Sequence, residues 1–194
     1  MSEWIVKESK ALSFLEMKNN AGIIVDTLVP EGWTMQAVCG MLGNMQPEST
    51  INPGRWESDN VGNLSGGFGL TQWTPATKVR NWIYKTYGST DYTNGDFQLA
   101  RIVYEFDNGI QFAPTTEFPM TGTEFTMSTL SAERLAEIFM INYERPADQS
   151  ESARAVRRRY AAAWWKEFGG MTVHKLPIWL MMKMANEWRN KYYG

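Results

Sequence analysis

NMQPESTINP, residues 44–53, carries a helix to its end and into a loop. Upstream of it, Thr34 precedes apolar residues at Met35, Val38, Cys39, Leu42 and Met45, the spacing of one helix face. The helix is expected to stop near Glu48, because Asn52-Pro53-Gly54 cannot continue it. Glu48 then lies at the edge of the apolar stripe, half toward a core and half toward whatever the next loop lines. Apolar surroundings disfavour a charged carboxylate, and a helix C-terminus adds partial negative charge; both raise the pKa. A carboxylic acid still protonated near neutral pH is able to protonate a departing oxygen. On periodicity alone, an ordinary solvated glutamate fits at least as well.

The following stretch, GNLSGGFGLTQW (62–73), weighs against that plainer reading. Gly66, Gly67 and Gly69 allow a tight turn or close approach to a ligand. Gln72 offers a donor and an acceptor, and Phe68 and Trp73 offer flat apolar surfaces. A glycine-rich turn ahead of a helix cap is the alternative. Beyond it, Thr74-Pro75 predicts a helix to about Tyr87, and Asp96 is expected to cap one over about 97–111. Ser131 starts another, stopped by Arg145-Pro146, and a long helix runs from about Ser150 to Phe168, closed by Gly169-Gly170. A last helix opens at Pro177. The pattern is α+β and mostly helical, with one small β or loop insertion.

Composition narrows the chemistry. The 194 residues, 43% hydrophobic and 21% charged, suit one buried domain, and no apolar run is long enough to span a bilayer. Cys39 and His174 are each the sole residue of their type, which excludes an internal disulfide and argues against a metal centre. No cofactor is expected. Carboxylates, hydroxyls and amides must do the work. A Cys39–His174 nucleophile pair is disfavoured, because Cys39 falls inside an apolar stripe. The first residues, MSEWIVKESKAL, lack a basic start and an apolar stretch, so delivery by general secretion is not expected.

Taken together, Glu-Ser-x-x-Asn-Pro followed by Gly-x-Gly-Leu-x-Gln resembles the signature of goose-type lysozymes and soluble lytic transglycosylases. The closer resemblance is to the phage tail lysozyme family, found in tail-tip proteins of short-tailed phages. It is carried by MLGNMQPESTINPG, GFGLTQWTPA and IFMINYERPAD (138–148), and covers about residues 20–168. It implies a lysozyme-like fold over residues 1–170 that cuts the β-1,4 bond between N-acetylmuramic acid and N-acetylglucosamine in peptidoglycan. It also implies a virion-borne enzyme of the phage tail. By the same resemblance Glu48 is the general acid. Gln72 touches substrate or orients the acid, and Tyr143 stands beside the catalytic carboxyl. Trp73 and Phe68 line the sugar cleft. Glu144 and Arg145 read as a structural ion pair.

A second carboxylate is not diagnosed by the motifs. Glu57 and Asp59 lie on the loop where lysozymes keep one, with Asp59 the mild favourite. Lytic transglycosylases manage with one acid, so hydrolysis and transglycosylation both fit; the family name favours hydrolysis. A non-catalytic wall-binding or structural tail component is the rival.

Residues 1–150 hold 10 Lys+Arg against 18 Asp+Glu, and 151–194 hold 9 against 3. Arg154, Arg157, Arg158 and Arg159 suggest an anion-binding cluster, or more simply a solvated helix face. The acidic first 150 residues argue against a nucleic-acid partner. From Pro177 to Tyr192, apolar residues at helical spacing suggest a segment (171–194) that docks on another tail protein or a second copy, or belongs to the core.

Overall fold

In a computed structural model of the chain, residues 3–171 are described. The expected segment from Pro177 to Tyr192 and His174 lie outside them. Among the described residues the architecture is seven α-helices, a short 3-10 turn (Glu57–Asp59) and a π-type turn (Met140–Glu144).

Helix α1 (Phe14–Leu28) opens with a capping box. The Ser13 hydroxyl accepts from the Glu16 N–H, and the Glu16 carboxylate accepts from the Ser13 N–H at 2.8 Å. The S-x-x-E spacing is visible in the sequence, although the helix is not among those read from it. Helix α2 (Met35–Ser49) begins, as expected, at the Thr34 cap and ends at Thr50, which adopts a left-handed conformation.

All residues of α2 from Ala37 to Met45 are buried, so over this stretch the helix has no solvent face and forms the axis of the domain. Helices α6 (Ala132–Phe139) and α7 (Glu151–Phe168) pack against it on two sides. Two glycines permit that approach. A Cβ at Gly40 would lie 2.8 Å from the Leu135 Cβ, and one at Gly43 would lie 2.8 Å from the Ala161 Cβ and the Arg157 carbonyl oxygen.

Helices α3 (Thr77–Tyr87), α4 (Gly95–Asp107) and α5 (Gly122–Thr126) complete the domain. The first of these starts two residues later than Thr74-Pro75 suggests. The Thr74 hydroxyl donates to the Gln72 carbonyl instead of capping, and the Ala76 N–H is taken by the Gly66 carbonyl. The cap of α4 is Asn94, not Asp96, whose carboxylate instead accepts from the Trp4 indole at 2.8 Å. The expected β element shrinks to two isolated antiparallel bridges, Trp56 with Phe68 and Phe68 with Trp73. Left-handed residues at Ser58, Asp59, Gly69 and Gln72 turn the chain too often for a strand to extend. No helix among the described residues is long and apolar enough to cross a membrane.

The N-terminal segment is bound to the domain. Asn20 exchanges two hydrogen bonds with the Ile5 backbone, and its amide also donates to the Ile51 carbonyl. Asn52 does the same across Lys7 and Lys10.

Substitution at two helix glycines should separate packing from propensity. Gly43→Ala is expected to destabilise by about 1–3 kcal/mol, because the added methyl meets backbone on α7. Gly22→Ala, in α1, meets nothing within 4 Å and should stabilise by up to about 1 kcal/mol. Denaturant unfolding of both variants checks the opposite signs.

Candidate active site

The end of α2 and the glycine-rich loop are joined by buried polar side chains. The Ser49 hydroxyl donates to the Leu70 carbonyl at 2.8 Å, fixing the loop directly beside Glu48. On α4, fully buried Gln98 accepts from the Leu70 N–H at 2.9 Å and donates to the Pro53 and Tyr92 carbonyls at 2.8 Å each. Gly69 has φ +82°, and a Cβ there would lie 2.5 Å from the Gln98 Oε1, so only glycine fits both demands. The loop is held on its other side by Glu57, whose carboxylate accepts from the Gly67 N–H at 2.7 Å.

Glu48 sits in the last turn of α2 with its side chain 24% exposed. Its Oε1 accepts from the Arg157 Nη2 at 2.6 Å. Burial pushes the Glu48 pKa up, the Arg157 guanidinium pulls it down by less, and the charge of Glu57 adds to the rise. Net, the carboxyl is held above the ordinary glutamate range.

Arg157 corrects the reading of the arginine run. It is only 8% exposed, on the face of α7 that packs against α2. Its neighbours are paired as well: Arg154 with Glu117, and Arg158 with Glu137 and Glu151. The signal was present in the sequence. Ala153, Ala161, Trp164 and Phe168 form the apolar stripe of α7, and Arg157 stands in the middle of it.

The aromatic residues read from the motifs are largely buried; Trp73 and Tyr143 still border the pocket described below, whereas Phe68 does not. Phe68 is 1% exposed against Trp56, with ring centroids 4.5 Å apart. Trp73 is 4% exposed and its indole donates to both Glu105 oxygens at 3.1 Å. Tyr143 is 1% exposed and its hydroxyl donates to Glu105. Arg101 completes the set, its Nε donating to Glu105 at 2.8 Å. The four residues form a buried network under the loop. Gln72 is half-buried and its amide donates to the Arg55 and Gly69 carbonyls.

Above the network opens a pocket of about 250 Å³ lined by Thr71, Gln72, Lys78, Gln111, Tyr143 and Glu144, among others. Glu144 is brought there by the π-type turn, a widened helical turn of the kind often found at functional positions. It makes no ion pair with Arg145, whose guanidinium donates to the Gln111 carbonyl at 3.0 Å. The reason is geometric: Arg145 takes a left-handed conformation, φ 52°, and turns away.

Of the two loop carboxylates, Asp59 is 57% exposed and its Oδ1 is occupied by Arg55 at 2.8 Å and by the Ser9 hydroxyl at 3.1 Å. Glu57 is the one whose charge acts on Glu48. Cys39 is fully buried, which pushes its thiol up to about 12 and leaves it no role as a nucleophile.

A central buried helix that presents a half-buried carboxyl at its end, next to a glycine-rich loop that lines a polar pocket, has the organisation of a lysozyme-like helical domain. The chain belongs to the phage tail lysozyme family, whose profile matches residues 19–168. Over 159 residues it is 49% identical to "Morphogenesis protein 1" of Bacillus phage B103, an alignment that takes in 82% of this chain and 42% of that protein. The chain thus spans less than half the length of that relative.

Tyr143→Phe tests the buried network. Removing the hydroxyl takes one of the donors from a buried carboxylate, and a loss of about 1.5–3 kcal/mol is expected in denaturant unfolding. A variant as stable as the parent would show that Glu105 does not need Tyr143.

Proposed function

We propose that this protein cleaves the glycan strands of bacterial peptidoglycan at the β-1,4 bond between N-acetylmuramic acid and N-acetylglucosamine, as a phage tail enzyme with Glu48 as general acid. The observation that carries the reading is the state of Glu48: at the end of the central helix, with burial outweighing the Arg157 contact. Membership in the phage tail lysozyme family supports the same chemistry. Protonation of the glycosidic oxygen by Glu48 lets the leaving sugar depart neutral, while positive charge develops on the other sugar. The polar pocket that the glycine-rich loop lines, with Gln72, Gln111 and Lys78, offers donors for sugar hydroxyl and acetamido groups.

Glu57 is the better second carboxylate. Its charge acts on Glu48, and a backbone N–H fixes its position, whereas Asp59 is engaged with Arg55 and Ser9. Hydrolysis is the preferred outcome, with Glu57 stabilising the developing positive charge or directing water. The name of the phage B103 relative concerns morphogenesis, which favours a second, structural role in the tail beside wall cleavage. Other tail proteins and peptidoglycan are then its partners.

Glu48→Gln should lower glycan cleavage by about 100-fold or more while the fold persists. In the parent, activity should fall as pH rises through the elevated pKa of Glu48, since only the protonated form donates. Mass spectrometry of digested peptidoglycan reads the result: reducing ends mean hydrolysis, anhydro ends transglycosylation, and no fragments a structural protein. Normal turnover by folded Glu48→Gln ends the general-acid assignment.

Glu57→Gln and Asp59→Asn should differ. The first is expected to lose most activity and the second little, by turnover on purified cell walls. The reverse order would return the role to Asp59, and full activity in both would point to a one-acid mechanism.

A further inference from the structure

Three charged groups from three elements act on one another: Glu48 from α2 is bound by Arg157 from α7, and the charges of both reach Glu144, which the π-type turn brings to the pocket. The guanidinium is committed to Glu48 through Nη2, but its Nε is buried without a partner. Glu144 Oε1 is likewise buried without a hydrogen-bond partner. An unmet donor and an unmet acceptor in one charged group of residues are not a stable end point for a purely structural pair. Such orphans suit an arrangement whose bonding changes during use.

Charge points the same way. Two carboxylates against one guanidinium leave an excess negative charge in a partly desolvated site, and a single added proton removes it. Burial pushes Glu144 well above the ordinary carboxylate range; the charge of Glu48 pushes it further, Arg157 opposes, and Glu105 adds a smaller rise. Glu57 faces Glu48 from the loop, and Lys78 reaches the pocket from α3. Arg145 is turned to Gln111 and Arg101 is held by Glu105, so neither replaces Arg157 as the partner cation.

We propose that Glu48 and Glu144 share one proton over Arg157, and that Glu144 is the positioning residue that keeps this proton at the site in neutral solution. With the proton on Glu144, Glu48 is the carboxylate bound to Arg157, as the structure has it. With the proton on Glu48, the Glu144 carboxylate takes up the guanidinium charge, and Glu48 is armed as an acid. Cleavage then moves that proton to the leaving oxygen as the carbon–oxygen bond breaks. Water adds to the sugar carbon, and the proton it releases returns to the pair. The catalytic part of this inference rests on the glycan-cleaving function proposed above; the shared proton does not.

Infrared spectroscopy of the full chain and pH profiles of kcat/KM test it together. A protonated-carboxyl band should persist at neutral pH in the parent, and be lost in both Glu144→Gln and Glu48→Gln, because the remaining carboxyl then pairs with Arg157 and ionises. The alkaline limb of Glu144→Gln should move down by one pH unit or more, an activity loss of about tenfold at neutral pH with KM unchanged. No such band in the parent, or a band that survives in both variants, overturns the proposal, as does an unshifted profile in folded Glu144→Gln. The parent spectrum needs no variant, so misfolding of one leaves the test decisive. A band that behaves as expected in a protein that cuts no glycan would sink the proposed function and leave the shared proton standing.

Discussion

The contact of α2 with its two flanking helices at Gly40 and Gly43 is the constraint on which the site depends. It makes α2 the buried axis of the domain and sets α7 against its side. Arg157 lies next to the contact: its own carbonyl is one of the atoms that touches the space where a Gly43 side chain would be. The guanidinium therefore reaches Glu48, five residues further along, by virtue of the same approach. A side chain at position 43 would move the backbone from which Arg157 projects.

Around this axis, buried polar side chains act as brackets. Ser49, Asn52, Gln98 and Glu105 each bond backbone or side-chain groups on a different segment. A hydrogen bond of this kind contributes about 0.5–1.5 kcal/mol when made, but leaving a buried polar group unpaired costs about 1–3 kcal/mol. The asymmetry makes them specific as well as stabilising, since any other loop conformation leaves them orphaned. The motif residues of ESTINP thus divide their labour: the serine holds the glycine-rich loop and the asparagine the N-terminal segment, while the glutamate is left to meet Arg157.

The electrostatics of Glu48 are a contest with a definite winner. A guanidinium at 2.6 Å favours the carboxylate, yet the water-poor surroundings and the charge of Glu57 favour the acid more. Arg157 is itself almost entirely buried, so it helps to fix the direction of the carboxyl without leaving it permanently ionised. Such a balance suits a group that must both hold and release a proton.

Much of this was determined by the sequence itself. The Thr34 and Ser131 caps, the breaks at Pro53 and Pro146, and the order of motifs identify the helices and point to Glu48, because caps and breakers act within a few residues of where they stand. Tertiary structure alone decided which face each loop side chain presents. Trp73 and Phe68 read as sugar platforms in the sequence and Tyr143 as a neighbour of the catalytic carboxyl, but all three are buried, and Trp73 and Tyr143 bond a glutamate from α4 more than 30 residues away from each. Likewise Arg157 meets Glu48 across 109 residues, and Glu144 separates from Arg145 because Arg145 itself takes a left-handed conformation. Local pattern reports which residues are capable of chemistry; only packing between distant segments sets which are desolvated and which charges meet, since burial and Coulomb interaction depend on distance in space and not along the chain.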